Sequence, residues 1–509
     1  MGLKRADLRL NHPFIQNLIA GLMLLCLPGI YLALTGLGAG GGKPSSQAVA
    51  ANVNAILYGV FFITGWFAGS VMNLIGPNYT VFLGSIGYSL YTGQSTIFLE
   101  RTLAFDFALL TLVAGGLWYF DRSGHSWLAY LGGGIEGVSA ALLWASAGAI
   151  AYSYAEEKDK ALFMTIQWCM CEGGSTIAAL VALGINIHSA RQDAGAPTPV
   201  YVVFVVIQVL AMVLALTLLV RPAKVVRSDG TKIAIFKQPS LKSELEGIVE
   251  MIKDYRFMML LPAIFVAEMA LALQSSLNGY YFNLRTRSLN NVMFNFIQLP
   301  ASFGMTYILD NPRFGRRKTR ALIGISVMSA VTLAICAAEA AWLAQHHLNR
   351  HEAGPSTDWT DPGFAGAFVI YIIYGSVYSI YQIATQYVIC ALTNDPERLA
   401  RRASCFRGTT ALGMMFSFII DGNGGTYITQ LSFQFACYFV GILFLYTVTV
   451  LYVSDTNYFH EDTVIVPKHI EDDARLDGRI AAPAAGGGGE EASSVDGKET
   501  VVAGDKSVV

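Results

Sequence analysis

A succession of apolar blocks, each close to the ~20 residues that carry a helix across a bilayer, is the feature that most restricts how this chain can fold. Six run over residues 14–35, 53–75, 79–99, 128–151, 161–187 and 200–220, and six more over 257–282, 292–309, 321–343, 363–392, 405–420 and 431–453. Inside hydrocarbon every backbone N–H and C=O must be paired within the segment itself, so apolar runs of this length read as helices. The blocks predict an all-α polytopic membrane protein of about twelve transmembrane helices, six on each side of the polar run 221–256. The composition agrees, because 54% of the 509 residues are hydrophobic and 14% charged, where a soluble domain carries about 25% charged residues. The expected organisation is an N-terminal half (1–220), a linker (221–256), a C-terminal half (257–454) and a tail (455–509).

The lipid bilayer is the partner these blocks demand. A formal net charge of −2 lacks the basic footprint of a nucleic-acid binder. All seven cysteines lie in or beside apolar blocks, so Cys169-x-Cys171 reads as a pair of packing groups rather than a redox or metal site. There is no phosphate-binding loop, zinc-ligand spacing or nucleophile constellation. The expectation is therefore no metal, no cofactor and no enzymatic role.

Basic residues set the orientation, since Lys and Arg accumulate in cytoplasmic loops. With twelve spans, the N-terminus (Lys4, Arg5, Arg9), the linker, and the loops 313–320 and 398–402 all fall on the cytoplasmic side, as do both termini. Arg285 and Arg287 fall on the outer side and break the pattern. The run 103–120, which holds Asp106, is apolar enough to span. Counting it would place every later basic loop outside, so it is expected to be re-entrant, interfacial or joined to block 79–99 as one broken span.

Within the linker, Leu241, Leu245, Ile248, Val249 and Ile252 recur at helical spacing beside charged residues. This predicts an amphipathic helix along the membrane surface, starting at Pro239-Ser240 with a capping box Ser243-x-x-Glu246. Beyond residue 455 periodicity is lost, and a disordered cytoplasmic tail is expected.

Carboxylates inside spans are costly, roughly 2.5–3.5 kcal/mol each, and mark functional sites. Glu136, Glu172 and Glu268 are the three that stand out, the last two near mid-depth in opposite halves. A carboxyl there can bind and release a proton as access alternates. Tyr371, Tyr374, Tyr378 and Tyr381 share one helical face, with Gln382 continuing it, and phenol and amide groups at that depth want partners or water. These eight residues are the expected cavity-lining or coupling set. Two turns form the expected cytoplasmic gate loops: Asp310 with Gly315, Arg316 and Arg317 after the eighth block, and Asn73 with Gly76 after the second. An acidic residue closing one helix can accept hydrogen bonds from a neighbouring helix N-terminus and so latch that side.

With six plus six blocks and the Asp310–Lys318 turn, the chain resembles the major facilitator superfamily, and more closely its uncoordinated-ninety-three-like (Unc-type) branch of fungal type. The stretches that carry the resemblance are GIYLALTGLGAGGG (29–42), LLWASAGAIAYSYAEEKDK (142–160), VVRSDGTKIAIFKQPSLKSE (225–244), AEMALALQSSLNGYYFNLRTRSLNN (267–291) and ALTNDPERLARRASCFRGT (391–409). Two departures stand out. Asn73 occupies a position where the superfamily carries Asp, and the basic pair is missing from that turn. In addition, roughly twenty residues, about one span, are inserted over 94–114, as a retained intron would produce. The resemblance implies a twelve-helix fold around a central cavity lined mainly by the first, fourth, seventh and tenth helices. The resemblance does not settle activity; together with the intramembrane carboxyls, the expectation is a transporter-like protein that moves a small solute by alternating access, coupled to protons. The alternative it implies is a non-transporting regulatory or trafficking subunit of another membrane protein, such as an ion channel or receptor, which the Asn73 turn suits.

Overall fold

The computed structural model describes residues 8–29, 47–93, 125–187, 198–236, 239–350 and 352–477. The apolar run 103–120, the 94–114 insertion and the tail past 477 lie outside the described residues. The first half comprises α1 (Pro13–Cys26), α2 (Gln47–Ile75), α3 (Pro77–Gly93), α4 (Trp127–Tyr154), α5 (Lys160–Asn186) and α6 (Thr198–Leu218). The linker carries α7 (Leu241–Lys253). The second half comprises α8 (Tyr255–Tyr281), α9 (Leu284–Asp310), α10 (Arg317–His346), α11 (Phe364–Ala391), α12 (Pro396–Gly422) and α13 (Tyr427–Tyr452). Among the described residues nine of these helices are long and apolar enough to cross a membrane, and α1 and the Val206–Leu218 part of α6 are shorter apolar helices. The chain through Val466 is one compact unit, and a second unit from Pro467 holds the short α14 (Lys468–Leu476), with its Arg475–Glu471 pair one turn apart.

The helix starts follow local chemistry. Proline opens α1, and the His12 ring accepts from the Phe14 N–H. Asp395 caps α12 by accepting from the Glu397 and Arg398 N–H groups, with Pro396 at its first position. The expected capping box on α7 lies earlier than Ser243–Glu246: Ser240 accepts from Ser243 N–H at 3.1 Å, and Ser243 Oγ accepts from Ser240 N–H at 3.2 Å. The serine directly after Pro239 holds the extended conformation that a cap requires, which moves the box back by one turn.

The helix α9 starts at Leu284, well before the expected 292, because Asn283 caps it and its polar residues Arg287, Asn290 and Asn291 turn into the protein. Hydropathy undercounts a helix whose polar face is buried. Arg285, the exception to the charge rule, has a local counter-ion. Its Nε donates to Asp358 Oδ1 at 2.8 Å, its Nη2 donates to Asp358 Oδ2, and the guanidinium sits 4.9 Å from the Trp359 ring. Asp358 also accepts from Asn283 and Thr286. The Arg285 hydrogen bond holds the Asp358 carboxyl below its ordinary range. A depressed folded pKa contributes stability above the unfolded value of about 3.9 that is lost as pH falls through the folded value. Asp358→Asn is therefore expected to lower the melting temperature by removing the acceptor shared by Arg285, Asn283 and Thr286. Melting curves of the two proteins should keep a constant separation from neutral pH down to about pH 4 and converge only below it.

The two halves meet along α2–α12 and α5–α9. Small residues make the first contact possible. A Cβ on Gly65 would lie 2.6 Å from Gly408 Cα, and one on Gly69 would lie 2.4 Å from the Ala400 carbonyl. Gly133 and Gly137 play the same part between α4 and α2.

The first part of the tail corrects the expectation of a disordered segment from 455 onward. Residues 455–466 pack on the linker side of the bundle. Asn457 N–H donates to Glu157 at 2.8 Å, its Nδ2 donates to the Ala391 carbonyl at 2.7 Å, and Thr463 donates to Asp395 at 2.6 Å. Val464 bridges to Ala234 of the linker. These contacts join residues tens to hundreds of positions apart and leave no periodic trace in the sequence.

Candidate functional site

The span α8 does not run as one helix. It breaks into Tyr255–Met258, Leu261–Val266 and Ala270–Tyr281. Across the second break the N–H groups of Ala267, Met269 and Leu271 reach back three residues rather than four. Glu268 sits in that tightened turn, the kind of interruption that marks functional hinges and mid-membrane binding sites.

Glu268 accepts from Arg407 Nη1 of α12 at 2.9 Å, and the same nitrogen donates to Gln382 Oε1 of α11 at 3.1 Å. The Arg407 guanidinium lies 4.1 Å from the Trp144 ring centroid and 5.7 Å from that of Trp168. Aromatic faces stabilise a desolvated guanidinium by about 2 kcal/mol. Trp144 and Trp168 are fixed in turn by Tyr88 Oη at 3.1 Å and Gln298 Oε1 at 3.0 Å. Arg407 thus draws α4, α5, α8, α11 and α12 to one point.

Around it lies a cavity of about 40 Å³, lined among others by Tyr58, Glu136, Trp144, Trp168, Glu268, Tyr378 and Arg407. That space has room for a few ordered waters. Both Glu136 carboxyl oxygens are buried with no hydrogen-bond partner among the described residues.

The expected residues divide accordingly. Glu136, Glu268 and Tyr378 line the cavity, and Gln382 touches it through Arg407. Glu172 is placed beside the cavity rather than in its lining. Its Oε2 accepts from Gln298 at 3.2 Å, so it bridges α5 to α9 across the halves. The tyrosine stripe also divides. Tyr371 packs on Phe294 of α9 with ring centroids 5.0 Å apart, Tyr374 donates to Cys336 Sγ of α10 at 3.3 Å, and Tyr381 meets Tyr438 of α13 with centroids 5.0 Å apart. At about 100° per residue, Tyr371, Tyr378 and Gln382 fall within a narrow arc, while Tyr374 and Tyr381 lie some 60–80° around toward α10 and α13. Of the stripe, only Tyr378 reaches the lining.

The linker side is latched at two pseudo-equivalent places. Asp310, closing α9, accepts from the Leu162 N–H at 2.7 Å and the Ala161 N–H at 3.2 Å, capping the N-terminus of α5. In the other half Asn73 donates to Glu244 Oε2 at 3.1 Å, and Arg401 of α12 donates to the same oxygen at 3.0 Å. The carboxylate missing from the Asn73 turn is supplied by the linker helix. Gly76 and Gly315 turn the chain at φ of 90° and 97°, a region that non-glycine residues enter only with strain. Arg317 is buried against Glu157 at 2.9 Å, and Glu157 also accepts from Asn394 at 2.7 Å. Arg316 is exposed, with a loose contact to Asp455.

Three charged residues with partners inside the protein escaped the sequence reading. Arg407 lies within the block 405–420 and carries the same cost signal as an intramembrane carboxylate. Glu339 of α10, which accepts from Gln274 at 2.8 Å, carries that signal too. Glu244 gave no signal, because its partner Asn73 is distant in the sequence.

No family model matches the chain. It is 37% identical over 458 residues to an uncharacterised membrane protein of Schizosaccharomyces pombe, spanning 90% of this chain and 88% of that protein. It is 32% identical over 413 residues to an UNC93-like protein of the same organism, spanning 80% of this chain and 76% of the relative. Among solved structures it resembles the major facilitator superfamily transporter FucP in its outward conformation, with a TM-score of 0.55, 13% identity and coverage of 87% of this chain and 99% of that one. It also resembles the proton:xylose symporter XylE, with a TM-score of 0.58, 10% identity and coverage of 86% and 94%. At these identities the likeness to solved structures shows the fold.

Proposed function

This chain belongs to the UNC93-like family and has the major facilitator fold, and from that premise we propose that it is an alternating-access carrier of a small solute, coupled to protons. The observation that carries the proposal is the Glu268–Arg407 pair at the break of α8, facing the central cavity, with Asp310 capping α5 on the linker side. A proton on Glu268 would release the Arg407 guanidinium to a solute acceptor, giving the differential contact that alternating access requires. Glu136 has no hydrogen-bond partner among the described residues, and in this proposal a proton or a cationic group of the solute offsets its charge. On this reading Glu136, Glu268, Tyr378, Gln382 and Arg407 form the site, and Asp310 and the Asn73–Glu244–Arg401 group form the inner gate. Basic residues cluster on the linker side, so that side and both termini are cytoplasmic in this proposal.

The accessory-subunit reading drew its support from Asn73 in place of an acid. Glu244 restores the acid, and that supports the carrier.

The test is a thermal-shift screen of the purified full chain against pooled metabolites, amino acids and ions. A solute present at one hundred times its Kd stabilises the native state by about 2.7 kcal/mol. The expected result is a specific shift that disappears in Glu268→Gln and in Arg407→Lys. Folded protein that shifts with no solute, and that co-purifies with a second membrane protein, would overturn the carrier in favour of the accessory subunit.

A further inference from the structure

Outside the central site, basic side chains gather where the linker helix meets the start of α12. A recess of about 350 Å³ opens there, walled by five cationic side chains, Lys253, Arg256, Arg398, Arg401 and Arg402, against the two carboxylates Glu250 and Asp254. Each carboxylate is engaged. Arg398 donates to Glu250 at 2.7 Å, Arg256 to Asp254 at 2.9 Å, and Arg402 Nη2 to Asp254 at 2.6 Å. A guanidinium carries five donors, so these contacts leave most of them free. Arg402 shows this most clearly. The residue is 4% exposed, yet its Nη1 is buried without a hydrogen-bond partner among the described residues. A buried donor on a charged group left unmade is costly, and a polyanionic group in the recess would satisfy it. Forked arginines grouped this way match phosphate oxygens.

A second observation bears on where that phosphate comes from. Leu241, Leu245, Val249 and Ile252 of α7 are 66, 51, 48 and 45% exposed and share one face of the helix, with Tyr255 continuing the row just past its end. A helix with such a stripe lies in the membrane interface, apolar face down. That sets the recess at headgroup depth.

We propose that the recess between α7 and α12 binds a phosphate monoester, presented by an anionic lipid headgroup, with Arg402 and Lys253 as its innermost and outermost contacts. Occupancy would tie the linker helix to α12 beside Glu244 and Arg401, and so would favour the latched state.

The test uses the full chain in phosphatidylcholine nanodiscs with and without phosphatidic acid, followed by melting temperature and by lipid retention in native mass spectrometry. A parallel arm adds glycerol 3-phosphate to protein in phosphatidylcholine alone. The expected result is a rise in melting temperature and selective retention with phosphatidic acid. Lys253→Gln and Arg398→Gln, both on exposed side chains that leave Arg402 in place, should each weaken retention roughly fivefold, and together roughly twenty-five-fold. An equal rise with glycerol 3-phosphate would overturn the lipid as the source and assign the recess to a soluble phosphate ester. The proposal fails if neither probe shifts the protein, or if retention is unchanged in the double variant while both proteins melt cooperatively.

Discussion

Arg407→Ala is expected to destabilise the folded chain by about 3–5 kcal/mol and to abolish solute binding, because it leaves Glu268 in the protein interior without its counter-charge. The side chains of the pair are 8% and 14% exposed, so water screens the orphaned carboxylate little. The substitution also removes the cation from the Trp144 face and the donor from Gln382. A double variant separates the loss of stability from the loss of binding. Replacing both partners, Arg407→Gln with Glu268→Gln, removes the uncompensated charge, so most of the lost stability should return while binding stays absent. Melting temperatures of the two singles and the double give the coupling energy. If the double variant is as unstable as the sum of the singles, the pair is not a coupled unit, and the carrier proposal loses the interaction on which it stands.

The second large effect concerns the latch. Gly69 of α2 packs so closely on α12 that an added Cβ would sit 2.4 Å from the Ala400 carbonyl and 2.6 Å from Ser404 Oγ. Backbone cannot yield there as a flexible side chain would. Gly69→Leu is expected to wedge the linker side apart. An overpacking cost of about 3 kcal/mol borne by the closed state alone would shift the open-to-closed ratio roughly 150-fold. The measurement is thiol labelling, in a background without native cysteines, of Ala140→Cys, a position that lines the cavity. A membrane-impermeant reagent applied from the linker side should modify the site in the Gly69→Leu protein and leave it protected otherwise. Gly134→Leu is the control, since an added Cβ there meets nothing within 4 Å. Equal protection in both proteins would show that the contact between α2 and α12 does not gate the cavity.

Much of the frame was legible before any coordinates, for a definite reason. The cost of unpaired backbone in hydrocarbon acts on each segment by itself, so the length of an apolar run is enough to reveal a helix. The cost of a carboxylate at membrane depth is equally local, and it singled out Glu136 and Glu268, which line the central cavity. The same argument, applied to basic residues, would have found Arg407. The linker helix was readable from its apolar spacing, and Asp310 from its place before a glycine turn.

What the sequence by itself determined was therefore whatever depends on neighbours within a few turns: which runs become helices, where they start, and which residues are too costly to be there without a role. Tertiary structure alone decided the pairings. It joined Glu268 to Arg407, brought Glu244 from the linker to complete the turn at Asn73, folded residues 455–466 back against Ala391 and Asp395, and sorted one tyrosine stripe among three different neighbours. Each of these contacts spans tens to hundreds of residues. Its energy appears only when two distant segments are desolvated together, so neither segment carries a mark of the other.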